Sequence, residues 1–594
     1  MASAAPGAAR MDRDQVLTAD VIDSMIVNGD TIVIFQDYVL RLNSWLALHP
    51  GGSLAILHMV GRDATNEITA YHSAATLKTM KAYRIGRKPA GPWANRTPPI
   101  RGGFRKCLDI APEASETTCN VGGPGSSAEK GALLIPGCPG ATPTHPASHG
   151  AATACQRDDA GSCSRRATPR GSPSRRDEEK GYVSDPEKRP LVPRGRPALT
   201  PGQYTDWAIH QGRKMDARDY PSLDADVQQA IAEKYSALHD RISDEGLYDC
   251  PYLEYGKEMV RYLTLFGLFV YALSKAWYLT SGLFLGLFWH QLMFTAHDAG
   301  HRAITHIFTV DTLIGMFIAD FCCGLSIGWW KSSHNVHHLI TNHPEHDPDI
   351  QNIPLFATCP SFFKSLHSSY YDFTFAWDAV AEFLVPYQKY TYYPVMGIAR
   401  FNLYLLSWLH VLSSKSSSLG SSKAWWIRPA EITFMAGYWF VFGYLLLWRT
   451  LPDWPTRVGF VLASHIVTMP LHVQITLSHW GMSTSDLGED ESFPQRQLRT
   501  TMDVACPAWL DFIHGGLQFQ AVHHLFPRVP RHNLRRVQGM VREFCQETGI
   551  HYSILGFVDG NRKVLGRLDQ VSDQVKILVS CQKYMAETGE SGLH

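Results

Sequence analysis

Residues 329–338 read Trp329-Trp330-Lys331-Ser332-Ser333-His334-Asn335-Val336-His337-His338. Histidines spaced i, i+3 and i+4 share one face of a helix, so three imidazoles can aim at one point. Two further clusters lie outward from it: His297-Asp-Ala-Gly-His301 upstream and Gln520-Ala-Val-His523-His524 downstream. Each follows a long apolar run. Tyr262 to Leu279 pairs with Ser281 to Met293, and Ile432 to Trp448 pairs with Val458 to Leu477. These runs approach the roughly 20 residues that cross a bilayer core. The expected domain therefore has about four transmembrane helices in two hairpins, and even crossings bring all three clusters to one membrane side. Thr309 to Ile327, which holds Asp311 and Asp320, and the Tyr/Trp-rich region 386–412 are read as interfacial or re-entrant helices.

A single HxxHH is an ordinary polar helix face. Three clusters beside membrane crossings are not, because histidine near lipid is costly unless it binds something. Imidazole suits iron, zinc, copper and nickel. The seven histidines of the clusters exceed what one tetrahedral zinc needs, which favours two metal ions.

A second pattern occupies the N-terminal end. Thr31-Ile-Val-Ile-Phe and Asp37-Tyr-Val-Leu-Arg-Leu are β-branched, strand-like runs, followed by His49-Pro-Gly-Gly and then helical spacing at Leu54, Leu57 and Met59. The proline ends one segment and the glycines permit a sharp turn. His72 comes 23 residues after His49, behind a second helical stretch. Two histidines on facing helices can clamp a haem from both sides, which leaves no open position and favours electron transfer over oxygen binding. His58 is the rival second ligand, but it sits in the first helix, too near His49 to oppose it across a porphyrin.

The 594-residue chain is too long for one ordinary domain. Its 55 basic and 55 acidic residues balance, so nothing points to a nucleic acid partner. The 12 cysteines show no CxxC pair, and reduced thiols facing a cytosol are expected. No apolar signal-peptide core opens the chain, so internal segments are expected to drive insertion and the N-terminal domain to stay cytosolic. Between the two patterns, residues 91–224 are rich in Gly, Pro, Ser, Thr and Ala over most of their length and read as a largely disordered linker. This gives three parts: a haem-binding domain over 14–90, the linker over 91–224, and a membrane domain over 225–594.

The two patterns together resemble the cytochrome b5-fused front-end desaturases, membrane di-iron enzymes. His49-Pro-Gly-Gly with Gly61-Arg-Asp-Ala-Thr and His72 is similar to their cytochrome b5-like domain, and the three clusters are similar to their histidine boxes. Gln520, opening the third box, is the mark of the front-end branch. Trp329 to His338, Asn342-His-Pro-Glu-His-Asp-Pro-Asp-Ile-Gln and Gly515-Gly-Leu-Gln-Phe-Gln with His523-His-Leu-Phe-Pro-Arg resemble the fungal sphingolipid Δ8-desaturase branch. One departure is Ile68, where relatives often place an aromatic residue against the haem.

The resemblance implies an α+β cytochrome b5-like domain, a disordered linker and an all-α multi-span membrane desaturase domain. It implies haem b on His49 and His72. It implies two iron ions on His297, His301, His334, His337, His338, His523 and His524, with His479 in Leu477-Ser-His-Trp as an added ligand and Gln520 near a metal without ligating it. It further implies O2 as co-substrate, NADH-cytochrome b5 reductase as electron donor, a sphingoid base or ceramide as lipid substrate, and the endoplasmic reticulum membrane as location. Asp298 and Asp347 read equally as orienting metal-bound histidines or as helix caps. Trp329, Trp330 and Lys331 read either as a substrate rim or as an interfacial belt. The alternatives are a Δ5 or Δ6 fatty acyl desaturase, a lipid hydroxylase with the same donor, a non-enzymatic haem electron carrier, and a zinc transporter.

Overall fold

The computed structural model describes residues 13–104, 200–413 and 425–588. The N-terminal strand-like runs form β1 (Ile32–Phe35) and β2 (Tyr38–Arg41), which pair antiparallel with Val33 opposite Leu40. β3 (Arg84–Arg87) adds to β2 across a bulge at Val39/Leu40. All four β1 residues are buried, so the sheet packs on both faces and reads as a continuous β-branched run rather than an alternating one. The helices Ser53–Leu57 and Thr65–Tyr71 follow, one behind each candidate haem histidine.

The stretch assigned to the linker falls largely on 105–199, outside the described residues. Its C-terminal part requires correction: Pro201–Asp219 is a helix. Thr200 Oγ1 accepts from Gln203 N while Gln203 Oε1 accepts from Thr200 N, a reciprocal cap that starts the helix. Little of its surface is apolar, but Tyr204 and Trp207 anchor it to the membrane-domain core. A polar helix held by a cap and two aromatic side chains leaves almost no periodic signal.

Among the described residues three helices are long and apolar enough to cross a membrane: Ala379–Leu412, Ile427–Thr450 and Trp454–Leu477. A fourth is reached if Phe308–Cys322 and Ile327–Leu339, bent by 115° at their junction, count as one broken span. The second expected hairpin is thus present, whereas the region 386–412, expected to be interfacial, lies within a helix of spanning length. The first expected hairpin folds as two helices of 23 residues each, Tyr252–Ser274 and Tyr278–Gly300. Neither is as apolar as the others. Glu254, Lys257, Glu258 and Arg261 occupy the first half of one, and His290-Gln291 the middle of the other. Leu263, Phe266 and Val270 point outward, an apolar face suited to lipid.

The haem-binding domain is docked on the membrane domain through buried charge. Glu67 pairs with Arg496 at 3.3 Å, and Glu489 accepts from Arg101 at 3.1 Å and pairs with Arg62. Asn95 Nδ2 donates to Glu489 O at 2.9 Å, and Ser236 Oγ to Asn66 Oδ1 at 3.1 Å. The apolar seam is continuous, since Leu339 and Ile340 join the haem-domain core and Ala70 joins the membrane-domain core.

Candidate metal and haem centres

His49 stands before a glycine pair whose second member, Gly52, has φ +85°, a left-handed conformation that glycine takes without strain. The turn returns the Gly52 carbonyl to the ring, and His49 Nδ1 donates to it at 2.9 Å. His72 closes the helix Thr65–Tyr71, and its Nδ1 donates to Ile68 O at 2.9 Å. In both rings the backbone bond takes the Nδ1 proton and leaves Nε2 as a free base, the form that binds metal. The ring centres lie 6.0 Å apart. A metal about 2 Å from each of two opposed ring nitrogens would set the ring centres about 6 Å apart, so the pair fits a bis-imidazole haem. Burial keeps both rings neutral, lowering His49 and taking His72 down to about 3. His58 is directed elsewhere, 4.9 Å from the His346 ring with Arg101 at its Nδ1.

The boxes converge into two groups. His297, His301, His334 and His523 offer ligand nitrogens all within 4.8 Å of one another, and so do His337, His479 and His524. His338 lies between them, its Nε2 2.9 Å from His334 Nε2 and its ring stacked on His524 at 4.0 Å. His523 Nε2 and His301 Nε2 face each other at 3.2 Å. Two basic nitrogens this close repel unless a proton or cation lies between them. Ligands at right angles on one metal, each about 2.1 Å from it, are about 3 Å apart. Among the described residues, His297 Nε2, His338 Nδ1, His524 Nε2 and both ring nitrogens of His479 are buried without a hydrogen-bond partner. Each such orphan costs about 1–3 kcal/mol, and those on His297, His479 and His524 belong to rings whose ligand nitrogens cluster as a metal-binding donor set requires. The residues present fit two first-row transition-metal ions.

Neighbouring groups hold these rings. His337 Nδ1 donates to Asp347 Oδ2 at 2.8 Å, and that carboxylate also accepts from Asn342 N at 2.7 Å and Asp349 N at 2.9 Å. Asp347 therefore both orients a histidine and caps the turn Pro348–Ile350. Asp298 lies at the far end of its helix, paired with Arg531 and Tyr255, with His297 Nδ1 at 3.7 Å. Gln497, absent from the sequence reading, accepts from His524 Nδ1 at 3.0 Å and donates to His338 O at 2.7 Å. It sits in Phe493–Thr500, a polar helix whose eight residues are all buried, and no spacing relates it to the histidines. Gln520 is buried one turn before His523. The Trp330 ring is half-buried, stacks on His334 at 4.3 Å and lies 5.3 Å from both His297 and His301. Lys331 Nζ lies over Phe308 at 5.6 Å.

Residues 23–88 match the family "Cytochrome b5-like Heme/Steroid binding domain", and residues 274–556 match the family "Fatty acid desaturase". The chain is 46% identical over 583 residues to the "Delta 8-(E)-sphingolipid desaturase" of Emericella nidulans, covering 98% of this chain and 99% of that one. It is 43% identical to the protein of that name from Kluyveromyces lactis, covering 96% and 95%, and 41% identical to the one from Candida albicans, covering 96% and 98%. The similarity spans the haem-binding domain, the boxes and the membrane helices together. The chain is a multi-pass membrane oxidoreductase that belongs to the fatty acid desaturase family, in the branch that carries its own cytochrome b5-like domain and includes the fungal sphingolipid desaturases.

Proposed function

We propose that this protein introduces a double bond at C8 of the long-chain base of a sphingolipid, in the E configuration, using O2 and electrons received through its own haem. The observation that carries the reading is similarity over nearly the whole of both chains to relatives that bear this activity in their names. His49 and His72 hold haem b. His297, His301, His334 and His523 would hold one iron and His337, His479 and His524 the other, with His338 a further ligand between them. When bound, the iron pair supplies the oxygen chemistry that no side chain can perform, and the haem supplies electrons one at a time. The balanced reaction takes –CH2–CH2–, O2, two electrons and two protons to –CH=CH– and two waters.

The chain's own residues supply position. Asp347 fixes the tautomer of His337 and Gln497 that of His524, so each presents its free nitrogen inward. Trp330 packs its indole against the first cluster, stacked on His334, and so restricts that ring's rotation. The remaining parts of the reading are the endoplasmic reticulum membrane, boxes and haem domain on the cytosolic side, and NADH-cytochrome b5 reductase as donor. The test is purified protein with NADH, the reductase and ceramide or free sphingoid base. The expected result is an 8-unsaturated base, with about three irons per chain, one of them haem. A single iron per chain and no lipid product would leave only an electron carrier.

A further inference from the structure

The haem and iron assignments above leave open how an electron crosses from one domain to the other. Both candidate haem loops meet the same helix, Ile327–Leu339. On the His49 side, Asn335 Nδ2 donates to Gly51 O at 3.5 Å. On the His72 side the contact is aromatic: Tyr71, the residue preceding His72, meets His338 edge-on, with ring centres 6.2 Å apart at 83°. Tyr71 packs against the haem-domain core and the membrane-domain core alike, so its ring bridges the seam between the two histidines. A close-packed path couples donor and acceptor better than one broken by a void.

We propose that Tyr71 is the interdomain electron bridge, a positioning residue whose ring couples the haem at His72 to the iron site at His338. Each transfer oxidises one ferrous haem to ferric and reduces one ferric ion of the pair to ferrous. Two transfers supply the two electrons of the turnover, and a pyridine-nucleotide-linked flavoprotein re-reduces the haem. The ring is a path and not a resting place for the electron. Its hydroxyl is buried without a hydrogen-bond partner among the described residues, so no base takes the proton that a phenol must release on oxidation. The aromatic ring, not the hydroxyl, is the working part.

This inference rests on the haem and di-iron reading, and the experiment separates the two. In purified holoprotein without oxygen or lipid, the haem is photoreduced by a flavin flash and its reoxidation by the ferric pair is followed by absorbance. Tyr71→Phe should match the wild type within about twofold, while Tyr71→Leu and Tyr71→Met, which keep an apolar side chain but not the ring, should slow reoxidation by about tenfold or more. Rates are read only on molecules that retain the bis-imidazole spectrum and non-haem iron, with the haem midpoint potential unchanged. Leu and Met variants at the wild-type rate would show a merely structural residue and overturn the proposal, as would a Phe variant as slow as Leu. A wild-type haem that never passes its electron to the iron pair would instead overturn the donor reading, and this proposal with it.

Discussion

In His49, His72, His337 and His524 a neighbouring acceptor holds Nδ1 and leaves the other ring nitrogen free for a metal. His49 and His72 are held by backbone carbonyls, so their geometry survives in the isolated fold. Alanine at either position should abolish the bis-imidazole absorbance while non-haem iron stays bound, whereas His58→Ala should keep the haem. An intact haem spectrum in the His72 variant would contradict the assignment. His524 is held by a side chain, which makes Gln497 the more sensitive test. Gln497→Leu should lower non-haem iron affinity or turnover by about 10–100-fold without changing the haem spectrum, and Gln497→Glu, which keeps an acceptor, should lose less. Iron content and turnover per haem measure both. The histidines of the three clusters were legible because their spacing puts them on shared helix faces, whereas His479 stands alone and was reached only through the family resemblance. Gln497 was not legible, since it reaches the site through tertiary packing that no local period encodes, whereas Trp330 lies one turn before His334 on the same helix and stacks on it at i, i+4 spacing.

Docking between elements rests on charges taken out of water. Glu67 on the helix Thr65–Tyr71 and Arg496 on the helix Phe493–Thr500 are both nearly buried and paired across the seam. Removing one partner of a buried pair strands the other, at about 3–5 kcal/mol. Glu67→Lys should therefore lower the thermal midpoint and speed proteolysis at the domain junction, and the reversed pair Glu67→Arg with Arg496→Glu should recover part of the loss. A single variant as stable as wild type would mean that the domains do not rest on this contact. The elements themselves were partly readable. The hairpin over 432–477 stands out by apolar length alone. The region 386–412 misleads because its Tyr, Trp and His residues resemble an interfacial belt, yet Tyr392, Tyr404, Ser407 and His410 are buried inside the bundle. Pro201–Asp219 escapes notice because its cap, not its periodicity, starts it.

At the scale of the molecule, fusion does more than tether a donor. A tether alone raises effective concentration only slowly as it shortens, whereas the buried seam sets the loops that carry His49 and His72 against the helix Ile327–Leu339. Composition over 105–190 offers no apolar density for a packed role. Deleting about half of that stretch should hence leave turnover within about threefold, and a larger loss at normal protein level would assign it a function. The central claim concerns the substrate, and it is tested most directly by expressing the chain in a yeast that lacks 8-unsaturated bases and profiling both its sphingoid bases and its fatty acids. The account predicts a new 8-unsaturated long-chain base with unchanged fatty acids, and new Δ5 or Δ6 fatty acids with unchanged bases would contradict it.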